Sequence, residues 1–277
     1  MGRFEGKVAF ITGAGRSQGR AVAVRLAEEG ADIICVDALT SYSTMEYEMS
    51  TADDLAETVR MIEAHGRRVV ARKADVRDFV QLEDAVAEGI AAFGHLDLVL
   101  ANAGIAPPSD ATHQVGLDVW QDVIDTNLTG VFHTVRATLP PMIAGGQGGS
   151  IVITASGAGL KGAPHLVHYT AAKHGVIGVM RTVAKEYASH FIRANVIAPT
   201  AVDTAMIMHD NHYRQFRPDL DNPTQADMAE PLRALNVLPI PWVEVRDTRD
   251  ATLWLLSDEA RYVTGVVLPV DAGMSMK

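Results

Sequence analysis

The chain has 277 residues, of which 48% are hydrophobic and 21% charged, a mixture typical of globular proteins that excludes disorder as the main state. The formal net charge of −10 disfavours general binding to the phosphate backbone of nucleic acids. The single cysteine, Cys35, excludes an internal disulfide framework and points to a reducing compartment, so we expect a cytoplasmic protein. No targeting segment and no run of 18 apolar residues is recognisable, so no membrane span is expected.

Short apolar runs alternate with helical patterns along the whole chain. The first run, 8–11, leads through a glycine-rich stretch into a helical pattern over 21–29, and the second run, 33–36, ends at Asp37. Further strands are predicted at 69–71, 98–101, 151–153, 192–197 and 266–270, and further helices at 55–65, 82–93, 120–143 and 168–189. The alternation predicts a seven-stranded parallel sheet covered by helices on both faces, in one domain spanning 1–277.

Two stretches interrupt this rhythm. Residues 38–53 separate the second strand from its helix by more than the usual two to six residues. Residues 200–246 contain five prolines, three methionines and several aromatic residues. We interpret the first as an insertion and the second as a lid or pocket wall, although a surface excursion packed on the body remains an alternative.

A glycine-rich turn between the first strand and its helix resembles a phosphate-binding loop. Gly13 and Gly15 are present, but Gln18 replaces the third glycine of the common pattern and Gly19 follows it. The first N–H groups of a helix attract phosphate because they are unpaired and lie at the positive end of its dipole. A purely structural turn is the alternative.

Asp37 at the end of the second strand suits the ribose of a dinucleotide. A carboxylate there accepts hydrogen bonds from the ribose hydroxyls and repels a 2′-phosphate, which favours NAD over NADP. Arg16 is a counter-argument because it can reach a 2′-phosphate. Asp37 as a merely solvated strand end is the alternative.

The next two strands end with polar residues at the same carboxyl edge, where open α/β sheets bind ligands. Asp75 is placed to bond an adenine amine and is followed by Val76. The stretch Asn102, Ala103 and Gly104 is placed to pass beneath the ribose. Each of these motifs taken alone is more often a turn.

Tyr169 and Lys173 lie four residues apart, on one face of a predicted helix. A free tyrosine has a pKa of about 10, and lowering it to about 7 takes roughly 4 kcal/mol of preferential stabilisation of the phenolate. Lys173 and an oxidised nicotinamide are plausible sources of that stabilisation. Such a tyrosine can take a proton from an alcohol or return it to a ketone.

Two further polar residues support this reading. Ser156 ends the fifth strand and is placed to bond the reacting oxygen, with a turn or cap serine as its alternative. Asn127 lies within a helical stretch although asparagine is a mediocre helix former, so a polar role such as ordering a water near Lys173 competes with a simple surface position.

Together, these residues resemble the short-chain dehydrogenase/reductase family over essentially the whole chain, including Tyr262–Gly265 and Asp271–Gly273 near its end. The resemblance implies a Rossmann-type doubly wound fold with strand order 3-2-1-4-5-6-7. It implies Tyr169 as acid/base, Lys173 as the residue that lowers its pKa and holds the nicotinamide ribose, Ser156 as substrate orienter and Asn127 as support for a relay water. The NAD-binding positions it implies are Gly13, Arg16, Ser17, Gln18, Gly19, Asp37, Asp75, Val76, Asn102, Ala103, Gly104, Tyr169, Lys173, Pro199, Val202 and Thr204.

Two positions depart from the family pattern. Ser17 replaces the middle glycine of the turn, so a hydroxyl approaches the diphosphate. Thr200 replaces the glycine after Pro199, which weakens the transfer of nicotinamide contacts there, whereas Thr204 matches the threonine expected near the carboxamide.

The insertion makes the chain similar to the carveol-dehydrogenase-like, mycofactocin-associated branch of the family. That similarity implies tightly held NAD, reoxidation by an external redox carrier, and a homotetramer. Together with the lid composition it implies an apolar cyclic substrate, such as a terpenoid alcohol. The lid residues taken to contact it are Met206, Met208, Tyr213, Phe216 and Trp242.

Two other classes of function stay open at this stage. A silent nucleotide sensor or scaffold can use the same fold, although it does not need the Asn127, Ser156, Tyr169 and Lys173 set. A methyltransferase that uses a similar glycine loop is the second class, although it would not need the Tyr169 and Lys173 pair. No metal is expected, because the ten histidines show no paired metal-ligand spacing.

Overall fold

The computed structural model describes residues 2–277 and contains one sheet of seven parallel strands. Its order is β3-β2-β1-β4-β5-β6-β7, so the predicted Rossmann-type, doubly wound parallel sheet is confirmed. The strands are β1 Val8–Thr12, β2 Asp32–Asp37, β3 Val69–Lys73, β4 Leu98–Ala101, β5 Gly149–Thr154, β6 Ile192–Pro199 and β7 Val267–Val270.

The helices are α1 Ser17–Glu28, α2 Ala52–Glu63, α3 Phe79–Phe93, α4 Leu117–Ile124, α5 Gly130–Gly145, α6 Val167–Glu186, α7 Asp210–Phe216, α8 Gln225–Leu235 and α9 Val245–Leu256.

The helices lie on both faces of this sheet because successive strand residues point to opposite sides. On one side, Phe10 and Ile34 pack in a core with α3, α5 and α6. On the other side, Ile11 and Cys35 pack in a core with α1, α2 and α9, so Cys35 is a small core residue.

Two helical regions differ from the sequence-based prediction. The single helix predicted over 120–143 is divided into α4 and α5 by a π-helical turn, Asp125–Thr129. The predicted lid contains α7 and α8, and α9 follows it where no helix was predicted. In α9, the buried residues Thr248 and Thr252 each donate a hydrogen bond to a backbone carbonyl three or four residues earlier. The face of α9 that packs on the core is therefore partly polar, which weakens the apolar periodicity of its sequence.

Three irregular segments of the chain meet at the carboxyl edge of the sheet. They are the turn between β1 and α1, the insertion at 38–53 and the lid at 200–246, and residues of all three line the same cavity. Among the residues that the structure describes, no helix is both long enough and apolar enough to cross a membrane.

Candidate active site

A cavity of about 700 Å³ lies at the carboxyl ends of the central strands. It brings together most of the residues singled out in the sequence. The predicted site residues that line it are Gly13, Arg16, Ser17, Gln18, Asp37, Val76, Asn102, Ala103, Gly104, Ser156, Tyr169, Lys173, Pro199, Val202 and Thr204.

The glycine-rich turn brings the start of α1 to this cavity. Gly19 packs so closely on the turn that a Cβ there would lie 2.0 Å from the carbonyl oxygen of Gly13. Ser17 occupies the left-handed region at φ 51°, a conformation that favours the glycine it replaces. No side chain caps α1 at Arg16, so the first N–H groups of the helix face outward from a turn that lines the cavity.

Asp37 connects the turn with the insertion. Its carboxylate accepts a hydrogen bond from the N–H of Gly15 at 2.9 Å and another from the hydroxyl of Ser50. The side chain is 8% exposed and still lines the cavity. The carboxylate therefore positions the glycine-rich turn and the end of the insertion at the same time.

Ser156, Tyr169 and Lys173 form the polar group at the centre of the site. The hydroxyl of Ser156 and the phenol of Tyr169 line the same part of the site, and the serine favours the ionised form of the phenol. Lys173 lies one helical turn after Tyr169, with Nζ 5.4 Å from the centroid of the phenol ring, and donates a hydrogen bond to the carbonyl oxygen of Thr154 at 2.8 Å. The residues just after β5 and the first turns of α6 thus place a hydroxyl, a phenol and an amine side by side.

Burial dominates the acidity of this group. It raises the pKa of the Tyr169 phenol to about 12, against a smaller opposing effect of the Ser156 hydroxyl. It lowers the pKa of Lys173 to about 8, because a buried ammonium loses hydration. Burial of the phenol thus opposes the lowering of the Tyr169 pKa expected from Lys173 together with an oxidised nicotinamide, and that lowering stays a prediction.

Asn102 and Asn127 hold the backbone around the cavity. Asn102 donates to the carbonyl oxygen of Thr12 at 3.3 Å and accepts from the hydroxyl of Thr154 at 3.2 Å, which ties β4 to β1 and β5. Asn127 is fully buried in the π-helical turn, and its amide exchanges two 2.8 Å hydrogen bonds with the backbone of Ile105. This pairing fixes the loop after β4 beside Lys173.

Three predicted residues do not line the cavity. Gly19 packs on Gly13, and the Asn127 side chain is committed to Ile105. Asp75, expected to bond adenine, is instead paired with the Arg77 guanidinium, with Arg77 Nη2 2.7 Å from Asp75 Oδ2. These opposite charges meet because Asp75 and Arg77 are only two residues apart. The prediction placed Asp75 by its position at the end of a strand and did not consider this ion pair.

The insertion covers one side of the cavity through Tyr47. The phenol oxygen accepts a hydrogen bond from the N–H of Ala106 at 3.1 Å, and the ring stacks on His209 of the lid with 5.4 Å between centroids. The Arg16 guanidinium lies 5.9 Å from the same ring. Tyr47 thus touches the glycine turn, the loop after β4 and the lid, a role that sequence reasoning missed although the aromatic residue stands inside the insertion.

The lid lines the cavity with a different set of residues from the one predicted. Met206 and Phe216 do line it, whereas Met208, Tyr213 and Trp242 do not. The lid residues that line it without having been predicted are Thr200, Ala201, Ile207, His209, His212, Gln215, Leu232 and Leu235. Composition indicated a lid, but not which side of its helices faces inward.

The residues of the cavity fit a dinucleotide. The start of α1 borders the cavity with no side-chain cap on its first N–H groups, which attract phosphate. Asp37 supplies a carboxylate at the neighbouring strand end, as a ribose diol requires. Within residues 2–277, by contrast, no three His, Cys, Asp or Glu side chains group as metal ligands.

Comparison with known proteins decides the family. The sequence matches the family described as short chain dehydrogenase over residues 7–215. The chain belongs to the short-chain dehydrogenase family. Among its relatives within this family is the (-)-trans-carveol dehydrogenase of Rhodococcus erythropolis, which is 48% identical over 277 residues, the full length of both chains.

Solved structures of short-chain dehydrogenases show the same similarity. Carveol dehydrogenase from Mycobacterium avium in complex with NAD has 51% sequence identity and a TM-score of 0.99, with each chain covered completely. A short chain dehydrogenase from Mycobacterium paratuberculosis bound to NAD has 43% identity and a TM-score of 0.90, again over both full chains. The predicted resemblance to carveol dehydrogenases within this family is confirmed.

Proposed function

We propose that this short-chain dehydrogenase is an NAD-dependent oxidoreductase that interconverts a secondary alcohol and a ketone. The observation that carries the proposal is the grouping of Ser156, Tyr169 and Lys173 in the same cavity as the glycine-rich turn and Asp37. The NAD in the two solved relatives supports the choice of nucleotide.

In this proposal each polar residue has one task. Ser156 donates a hydrogen bond to the substrate oxygen and so holds it beside the phenol, and Tyr169 exchanges the proton of that oxygen. Lys173, held by the carbonyl of Thr154, supplies positive charge and hydrogen-bond donors next to the phenol. When bound, an oxidised nicotinamide accepts the hydride and adds positive charge to the site.

Asn127 has a positioning role in this proposal. Its side-chain amide is used by Ile105, so any hydrogen bond to a relay water would involve its backbone. The π-helical turn that contains it makes this plausible, because such turns interrupt the regular helical hydrogen-bond pattern.

The body of the substrate is proposed to be an apolar ring, as in a terpenoid alcohol. Much of the cavity wall away from Tyr169 is apolar, including Pro108, Leu166, Met206, Phe216 and Leu232. The relative named (-)-trans-carveol dehydrogenase supports the same substrate class. Steady-state oxidation of cyclic secondary alcohols against small polyhydroxy sugars tests it, and preferential turnover of the sugars would overturn it.

We further propose that NAD is retained between turnovers and reoxidised by an external carrier of the mycofactocin type. The contacts of Tyr47 and Ser50 support this, since they tie the insertion to Ala106 and Asp37 at the wall of the cavity. Mass spectrometry of nucleotide released from freshly purified, denatured protein tests retention. About one NAD(H) per subunit is the expected result, and an empty protein contradicts it.

The assembly proposed is a cytoplasmic homotetramer. Exposed apolar residues at two separate places, Phe132 on α5 and Val237 and Leu238 after α8, support contacts between copies. Light scattering of the purified protein gives the mass directly, and a monomer would contradict this assembly.

A further inference from the structure

One wall of the substrate side of the cavity is polar, although its surroundings are apolar. Helix α7 and the residue before it present His209, His212 and Gln215 to the cavity, at intervals of three residues along one helix face. Ser109 of the loop after β4 joins them, because its hydroxyl donates to Oε1 of Gln215 at 3.2 Å. This α7 polar face is separate from the Ser156, Tyr169 and Lys173 group, which comes from β5 and α6.

His212 is the centre of the α7 polar face. Its ring packs edge-on against Phe216, with 5.1 Å between centroids, and lies 5.6 Å from the ring of His209. Gln215 follows it by three residues on α7 and lines the same cavity. Burial and the neighbouring His209 lower the pKa of His212 to about 4, so the imidazole is neutral near pH 7.

A neutral imidazole has one donor and one acceptor nitrogen. His212 and Gln215 both line the cavity, so two side chains that can donate and accept hydrogen bonds border the space open to a ligand. A purely hydrocarbon substrate needs only an apolar wall and none of the side chains of the α7 polar face. Burying those polar side chains against hydrocarbon without a hydrogen-bond partner would cost free energy. The α7 polar face therefore fits a ligand that carries a hydrogen-bonding atom at this wall.

We propose that the substrate carries a second oxygen function, a hydroxyl or a ketone, away from the carbon that is oxidised, and that His212 with Gln215 binds it. This inference rests on the proposed function and narrows its substrate class from cyclic alcohols to cyclic diols or hydroxyketones. His212 is then a specificity-determining residue, whereas Tyr169 and Ser156 act at the reacting oxygen.

The test compares cyclohexanol with the 1,2-, 1,3- and 1,4-cyclohexanediols, which differ only in the added hydroxyl and its distance. The readout is the ratio of kcat/KM for the best diol to that for cyclohexanol, since a ratio cancels general effects on folding and lid position. Assays use added NAD, or an artificial electron acceptor where the purified protein retains its nucleotide. We expect a ratio of about ten in the unsubstituted enzyme, the size that one good hydrogen bond gives.

Two His212 variants separate recognition from packing. His212→Leu keeps bulk but removes both nitrogens and is expected to bring the ratio close to one. His212→Asn keeps a donor and an acceptor and is expected to retain most of the preference. Met208→Leu changes a lid methionine that does not line the cavity and is expected to leave the ratio unchanged.

Three outcomes are distinguishable. Loss of the diol preference in His212→Leu with rescue in His212→Asn supports the inference. Oxidation of cyclohexanol and diols with equal efficiency, or a preference that survives His212→Leu, overturns the inference and leaves the proposed function standing. Failure to oxidise any cyclic alcohol overturns the proposed function and the inference with it.

Discussion

Tyr169 is a buried phenol that needs positive charge beside it to act as a base near neutral pH. Its burial was not predictable from the spacing of Tyr169 and Lys173, which predicts a shared helix face but not what covers it. The structure adds that burial raises the pKa of the phenol to about 12 and lowers that of Lys173 to about 8. The residues of the pair were thus predictable from sequence, whereas their acidity required the fold.

Replacing Tyr169 with phenylalanine is expected to lower kcat by at least about a hundredfold, since a positioned general acid/base contributes roughly 10²–10⁴. Nucleotide bound per subunit should change little, because the ring and Lys173 remain. Steady-state kinetics and the nucleotide content of the purified protein check both points. Tyr262→Phe, a tyrosine that is 89% exposed, is the matched control, and turnover by Tyr169→Phe at the control rate would refute the assignment.

Asp37 is expected to set the preference for NAD. Asp37→Asn keeps one oxygen to accept from the N–H of Gly15 and presents an NH2 group to the Ser50 hydroxyl, which can turn to accept from it. It removes the negative charge that repels a 2′-phosphate, so the ratio of NADP to NAD binding should rise about tenfold or more. Titration of both nucleotides by calorimetry measures it. An unchanged ratio would mean that the carboxylate does not face the 2′ position.

At the scale of elements, the insertion is tied to the body by polar contacts spread along its length. Thr44 donates to Asp122 at 2.6 Å, Tyr47 accepts from Ala106 and Ser50 donates to Asp37. The sequence predicts the insertion from its length alone. Its contacts could not be predicted because their partners lie in other elements, far along the chain.

Tyr47→Ala is expected to speed nucleotide dissociation by up to about thirtyfold, because it removes the hydrogen bond to Ala106 and the stacking on His209, contacts of about 1 kcal/mol each. Tyr47→Phe keeps the ring and should have a smaller effect. A chase with isotopically labelled NAD, followed by mass spectrometry, gives the rates. The control is Tyr213→Ala, an aromatic lid residue that does not line the cavity, and equal rates in all variants would show that Tyr47 does not retain nucleotide.

The helix predicted over 120–143 illustrates why local patterns missed part of the site. Apolar periodicity continues through the π-helical turn, so the sequence offers little sign of the interruption except the mediocre helix former Asn127. The π-helical turn lets the Asn127 amide pair with the backbone of Ile105, which lies in another part of the chain. This stabilising contact leaves no trace in the local sequence pattern.

At the scale of the whole molecule, the strand and helix alternation predicts the sheet and the resemblance predicts its strand order. Because parallel strands end at one edge, the polar residues that follow β1, β2, β4 and β5 were predicted to meet, and they line one cavity. The lid was predictable as a segment, but its chemistry was not, because composition does not say which face of α7 or α8 turns inward.

The closed lid is expected to weaken in acid. The pKa of His212 is lowered to about 4 when the lid is closed, so an opened lid binds the proton first as the pH falls below about 6.5. Closure should therefore lose stability between about pH 6.5 and pH 4, by about 1–3 kcal/mol, and change little below that range. The pKa of His209 is lowered in the same direction, which adds to the effect.

Amide hydrogen exchange of α7 across this pH range measures the free energy of lid opening. The double variant His209→Asn, His212→Asn should show little pH dependence, because neither replacement titrates. An equally steep decline in this double variant would assign the acid effect to other groups.

The central claim is that Tyr169 promotes hydride transfer from a secondary alcohol to NAD in this cavity. The most direct measurement uses a cyclic secondary alcohol with deuterium on the carbinol carbon, followed by denaturation and mass spectrometry of the nucleotide. The account predicts NADH that is heavier by one mass unit, whether the nucleotide is retained or exchanges. It also predicts that Tyr169→Phe loses this deuterium label. Unlabelled nucleotide, or equal labelling in Tyr169→Phe, would contradict it.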